Sequence, residues 1–270
     1  MKKLLLLSLI SLLCLGIYMF SLSPSNDRDW EAFSARTPNA IVSSSTVTLF
    51  NVRNWNHDSS RVLDRDWLES VKINPTEIKQ IWFGLSSFSD IAAFGHTFLS
   101  FEFTDGNVYT LSIEARRESG EEYSFTKGLL RQYDLLYGWG TERDYVGVRT
   151  FLLNQKVELY PLDLTPEEAA AVFIALAEET SRVATDPRFY NTLTSNCTNE
   201  LAKVINAKYP DSLPYHISHN LPGLSIEYLK NQGLIDEAAK RTIIPADNQA
   251  LLETIDQTPV DFSRTLREII

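Results

Sequence analysis

The fold is decided by one stretch: His96-Thr97-Phe98-Leu99-Ser100-Phe101-Glu102-Phe103, then Thr104-Asp105-Gly106-Asn107, then Val108-Tyr109-Thr110-Leu111-Ser112-Ile113-Glu114. Two runs rich in aromatic and β-branched residues flank an Asp-Gly turn, the strongest short-range hairpin signal. Working outward, Thr46–Arg53 alternates and predicts a strand, as do Ile78–Gly84 and Lys156–Tyr160. Downstream the spacing turns helical. Thr165-Pro166-Glu167-Glu168 is a capping box with proline at the first helical position, predicting a helix to about Val183. A second helix is predicted from about Asn196 to before Pro210, and a shorter one after Pro222. Residues 125–137 also read as helical. Strands first and helices later predict an α+β fold, an antiparallel sheet with helices packed on it.

At the N-terminus, Met1-Lys2-Lys3 precedes an apolar run from Leu4 to Leu22. Such a run is an export signal. As a helix it would extend roughly 28 Å, close to a bilayer core. Its exit, Ser21-Leu22-Ser23-Pro24-Ser25, lacks a small-x-small cleavage site, so the reading favours an uncleaved anchor over a removed signal peptide. Leu13 before Cys14 disfavours lipoprotein processing. The lysines predict a cytoplasmic N-terminus and an exported body. Residues 23–44, rich in Ser, Asn, Asp and Pro, read as a tether on which Trp30 and Phe33 could dock. A net charge of −10 argues against nucleic acid as a partner and against a polybasic lipid-binding surface.

Cys197 is the only cysteine outside the apolar segment, so an exported body offers it no disulfide partner. It lies in Tyr190-Asn191-Thr192-Leu193-Thr194-Ser195-Asn196-Cys197-Thr198-Asn199-Glu200, where the second helix should begin. A helix N-terminus favours the thiolate. Ser195 or Asn196 is the expected N-cap. Of the four histidines, His96 is the best base, because it opens a strand of a rigid hairpin. Side-chain alternation puts Ser112, Glu114 and Arg116 on one face of the paired strand. Glu114 is the expected orienting group and Ser112 the fallback.

Plainer readings stand beside these. A lone buried cysteine is usually an inert small hydrophobe. His57, His216 and His219 read as ordinary loop residues. No metal site is expected, since His216 and His219 lie in a proline-containing loop without further ligands. A Gly-x-Ser-x-Gly serine nucleophile is missing. The cluster from Arg116 and Arg117 to Glu122 reads either as a solvated turn or as a head-group contact.

The runs His96–Phe101, Ser112–Glu118, Arg131–Leu135, Glu142–Asp144 and Asn191–Thr198 resemble the Lnb-type N-terminal periplasmic domain family. Asn51–Asn54 and Leu221–Gly223 fit its two ends, and the resemblance covers roughly residues 46–235. It implies a papain-like, NlpC/P60-related α+β domain in circularly permuted order, with Cys197 as nucleophile and His96 as base. It also implies acyl transfer through a thioester, as in the lipoprotein intramolecular transacylase that names the family. That protein has membrane helices after the domain, and none is read here.

The resulting expectation divides the chain into 1–22 (signal peptide or membrane anchor), 23–44 (linker), 45–240 (periplasmic papain-like domain) and 241–270 (C-terminal tail). It assigns catalysis to Cys197, His96 and Glu114. Substrate contacts fall to Asn196, Ser112, Arg116 and Arg117, with Asn196 as an oxyanion helper. The substrate is a lipoprotein, a lipid or a cell-wall peptide near the membrane, and the chemistry needs no cofactor. The alternatives are a cysteine peptidase or amidase acting on cell-wall peptide, and a non-catalytic envelope scaffold.

Overall fold

The computed structural model describes residues 2–88, 91–238, 241–244 and 258–268. The strands are β1 (Asn39–Val42), β2 (Val47–His57), β3 (Val62–Ile73), β4 (Ile78–Ser87), β5 (His96–Phe103), β6 (Val108–Arg116), β7 (Asp134–Thr141), β8 (Lys156–Pro161) and β9 (Thr242–Ile244). Among the described residues these nine form one sheet in the order β1-β2-β7-β6-β5-β4-β8-β9, with β3 also paired to β2. Every pairing is antiparallel except β2 with β7. The fold is therefore α+β, with a mostly antiparallel sheet.

Helices cover both faces. On one lie α4 (Pro166–Thr185), α5 (Cys197–Lys208) and α6 (Ser225–Asn231). Ala169, Val172, Phe173, Leu176 and Ala177 give α4 one buried stripe against Leu99, Phe101 and Trp139 of the sheet. Its capping box is complete: Thr165 accepts from the Glu168 N–H, and the Glu168 carboxylate accepts from the Thr165 N–H. The other face carries α3 (Glu142–Gly147), the π-helical turn Val148–Leu152 and the helix Pro259–Glu268. There Phe98, Val146, Phe151, Leu159, Phe262 and Leu266 make a second core.

Four expectations need correction. Residues 125–137 are helical only over α2 (Phe125–Leu129), and Asp134 begins β7. All eight residues of β7 are buried, so the strand lacks the alternation that betrays a half-buried one. Gly138 and Gly140 within it make room for the Tyr145 ring, which an added Cβ would strike. Residues 23–44 are packed on the body rather than free as a linker. β1 pairs with β2, Trp30 is buried, and Arg116 donates to Ser34 O and Asn26 Oδ1. Within the span expected as a C-terminal tail, β9 extends the sheet and Phe262 and Leu266 are fully buried.

The fourth concerns the anchor. Lys2–Ser21 forms one helix, α1, with Leu5, Leu9, Leu13 and Phe20 exposed. Among the described residues no helix is long and apolar enough to cross a membrane, whereas the expectation for residues 1–22 is a signal peptide or membrane anchor.

Candidate functional site

Cys197 is the first residue of α5, and His96 is the first residue of β5. The helix packs on β5 and β6, so strand and helix begin side by side. Each polar residue of the loop leading into α5 has a structural task. Asn191 Oδ1 accepts from the N–H groups of Leu193 and Thr194, closing a turn. Glu200, buried within α5, binds Ser195 Oγ at 2.7 Å and Arg188 at 3.0 Å, which clamps the loop to the helix. Asn196 is the N-cap: its Oδ1 accepts from Thr198 and Asn199 N–H. That leaves the N–H of Cys197 itself as the first-turn donor not taken by the cap.

The His96 imidazole lies close enough to the Cys197 sulfur for each to shift the other's proton affinity. On the ring's other side, Nε2 lies 2.7 Å from Ser112 Oγ and 3.4 Å from Glu114 Oε1. Ser112 donates to Glu114 Oε1 at 2.6 Å. Its one proton is thereby committed, so the ring's Nε2 must donate to Ser112. Nδ1 is then the nitrogen left for the thiol. Both the expected orienting group and its fallback are engaged, with Ser112 making the shorter contact.

A residue missed in the sequence completes the site. Arg149, on the π-helical turn, is buried and donates through one nitrogen to Ser112 Oγ (3.1 Å) and Glu114 Oε1 (3.0 Å). Its guanidinium also sits over the rings of Phe98 and Tyr145. Nothing local in Val148–Leu152 signals this role, because the partners are 35 and 37 residues away.

The charges cooperate. Burial alone would raise the Cys197 pKa, but His96 and hydrogen bonds from Thr97 outweigh it and bring it down to about 7. Burial disfavours the His96 cation, yet Glu114 and the Cys197 sulfur push its pKa up to about 9. Burial would raise Glu114 as well, but His96, Arg149 and Ser112 hold it well below the usual carboxylate range. Between about pH 7 and pH 9 the pair therefore rests as thiolate and imidazolium.

Three residues expected to touch substrate are placed elsewhere. Arg116 is buried, with its guanidinium spent on Ser34 O, Asn26 Oδ1 and Ala35 O. Arg117 pairs with Glu31 at 2.8 Å. Both arginines hold the N-terminal segment rather than a head group. The Asn196 amide donates to Thr192 O and His219 O, so its donors are not available to an oxyanion.

Of the other histidines, His216 and His219 do lie in a loop, but His57 ends a strand. His57, buried at the end of β2, sits 2.9 Å from Asp144, which also takes two hydrogen bonds from Arg53. His216 stacks on Tyr228, and His219 packs edge-on against the same ring. Among the described residues no group of three or more His, Cys, Asp or Glu is placed to hold a metal ion.

The model of the family described as the Lnb N-terminal periplasmic domain matches residues 64–224, more than half of the chain. No curated protein and no solved structure matches.

Proposed function

We propose, given that the chain belongs to the Lnb N-terminal periplasmic domain family, that it is a periplasmic cysteine acyltransferase working through a thioester. The observation that carries this reading is the thiol at a helix start beside a histidine that is backed by Ser112, Glu114 and Arg149. The Cys197 thiolate attacks an ester carbonyl, and the carbonyl electron pair moves onto oxygen. The Cys197 N–H, which the Asn196 cap does not take, would receive that oxyanion. The tetrahedral species collapses, the C–O bond breaks, and the His96 imidazolium protonates the departing alkoxide. An acceptor amine then attacks the thioester. His96 takes the amine proton, and the thiolate leaves.

Lipoprotein acyl chains are the leading substrate. A circularly permuted papain-like order, with the histidine strand ahead of the cysteine helix, belongs to this proposal. So does a membrane-facing position reached through the apolar helix α1. No step calls for a cofactor.

A non-catalytic scaffold is favoured by one observation, that Cys197 is only 5 % exposed. The test is to incubate the full chain in detergent micelles with a synthetic diacylglyceryl lipopeptide bearing a labelled acyl chain. The acyltransfer reading expects hydroxylamine-labile label on wild type and none on Cys197→Ala. Cleavage of cell-wall stem peptide without acyl label would replace it with the peptidase reading. An inert thiol with neither reaction would establish the scaffold.

A further inference from the structure

Three loops converge on the catalytic pair, and each carries large apolar side chains into solvent. The first, running into His96, exposes Phe88 and Phe94; the second, running into Cys197, exposes Leu193. The third, residues 214–224, exposes Tyr215, Ile217 and Leu224, and these six side chains are 37 to 73 % exposed. The loops are bonded to one another. The Asn199 amide donates to Leu193 O, His219 O and Asn220 Oδ1, tying the second loop to the third. Gly223 donates to Ala93 O, and its α-carbon lies so near Ala92 that an added Cβ would strike the Ala92 carbonyl. Scattered exposed leucines are ordinary, but an apolar collar around one pair of reactive side chains marks a surface that is covered when the protein works.

The apolar helix α1 says what covers it. Met19, Phe20 and Leu22 at its exit line one cavity of about 490 Å³ together with Asn191, Thr194 and Ser195 of the second loop. Tyr18 Oη accepts a hydrogen bond from Gln132 at 3.3 Å. The most apolar segment of the chain thus leaves the body beside the second loop. A helix with that many exposed leucines favours the lipid phase, and the collar then lies against the lipid at the depth of the head groups. Phe, Leu and Tyr side chains are suited to that depth. The net charge of −10 makes the contact apolar rather than electrostatic.

We propose that Phe88, Phe94, Leu193, Tyr215, Ile217 and Leu224 form a collar that docks the loops around Cys197 and His96 on a lipid surface. The collar would hold the Cys197–His96 pair at the depth of lipid ester carbonyls. This deepens the acyltransfer reading by naming how its site meets its substrate, and it rests on that reading only for its purpose.

The test uses the full chain in phosphatidylethanolamine nanodiscs, with Cys14→Ser and Cys197→Ser removing the native thiols. An environment-sensitive fluorophore is attached at Thr194→Cys in the second loop. A control label goes at Thr104→Cys in the β5–β6 turn, eight residues along from His96 and roughly 25 Å away. We expect the Thr194 label to be blue-shifted and quenched by brominated lipid, and the Thr104 label to behave as in water. Adding L193D and Y215D should lower the quenched fraction by at least about tenfold, since each lost apolar burial is worth a factor of that order. In the protein with native thiols the same two substitutions should leave the alkylation of Cys197 by a small reagent unchanged, which reports an intact fold. A Thr194 label as solvated as the Thr104 label, or quenching indifferent to L193D and Y215D, overturns the docking. The label reports position and not chemistry, so an inert thiol would sink the acyltransfer reading without touching this one.

Discussion

Replacing His96 by alanine is expected to slow the alkylation of Cys197 at pH 6 by about tenfold. With a pKa of about 7, the wild-type sulfur is a thiolate in roughly one molecule in eleven at that pH. Without the imidazolium, the pKa returns at least to the free value of about 8.5, and the thiolate fraction falls about thirtyfold. Burial pushes it higher still, since the sulfur is almost fully enclosed. A more basic thiolate is intrinsically a better nucleophile, which recovers about fivefold or more of the loss. The net deficit is therefore about tenfold at pH 6, closes at about pH 8 and reverses above it. Iodoacetamide labelling across pH reads this directly. Equal rates for wild type and H96A at pH 6 would show that the ring does not activate the sulfur. In the same series Arg149→Met should raise the labelling midpoint by less than H96A does. Arg149 acts through Glu114 and Ser112 and does not touch the sulfur.

Replacing Asp144 by alanine should destabilise the fold by about 3–5 kcal/mol. Asp144 is fully buried and takes hydrogen bonds from Arg53 Nε (2.6 Å), Arg53 Nη2 (2.9 Å) and the Trp55 N–H (3.0 Å), with His57 Nε2 at 2.9 Å. Arg53 is itself buried, so removing the carboxylate strands a cation without its counter-ion. Burial works against the Asp144 anion, but Arg53 and His57 outweigh it and hold its pKa below the ordinary value. A depressed carboxyl contributes stability that is present above its unfolded pKa, about 3.9, and lost as pH falls through the folded one. Wild type should therefore lose this contribution only in acid below about pH 4, whereas D144A lacks it at neutral pH. Urea unfolding at pH 7 measures the difference. A loss below about 1 kcal/mol would contradict the account of a structural ion pair.

How much was legible depended on whether the signal was local. The 96–114 hairpin, α4 and the start of α5 were readable because turn chemistry, a capping box and an N-cap are written in consecutive residues. β7 was not, since burial on both faces and two glycines erase its alternation. β3 was hidden for the opposite reason: its Val62-Leu63-Asp64-Arg65-Asp66-Trp67 start is mostly solvent-facing and polar.

At the site, Cys197 and His96 could be singled out from the sequence because each opens an element, and the family resemblance paired them. Arg149 could not be found, since its contacts run from a π-helical turn to a distant strand. Arg116 and Arg117 looked free for a ligand only because the packing of residues 23–35 beneath them leaves no local trace. Arg53 and Asp144 are 91 positions apart, and only the β2–β7 neighbourhood brings them together.

The central claim is that Cys197 rests as a thiolate near neutral pH. It is tested most directly by the ultraviolet absorbance of the thiolate, titrated across pH in the full chain and taken as the difference from Cys197→Ser so that Cys14 cancels. The account predicts a midpoint at about 7. A midpoint at or above the free-thiol value of about 8.5 would contradict it.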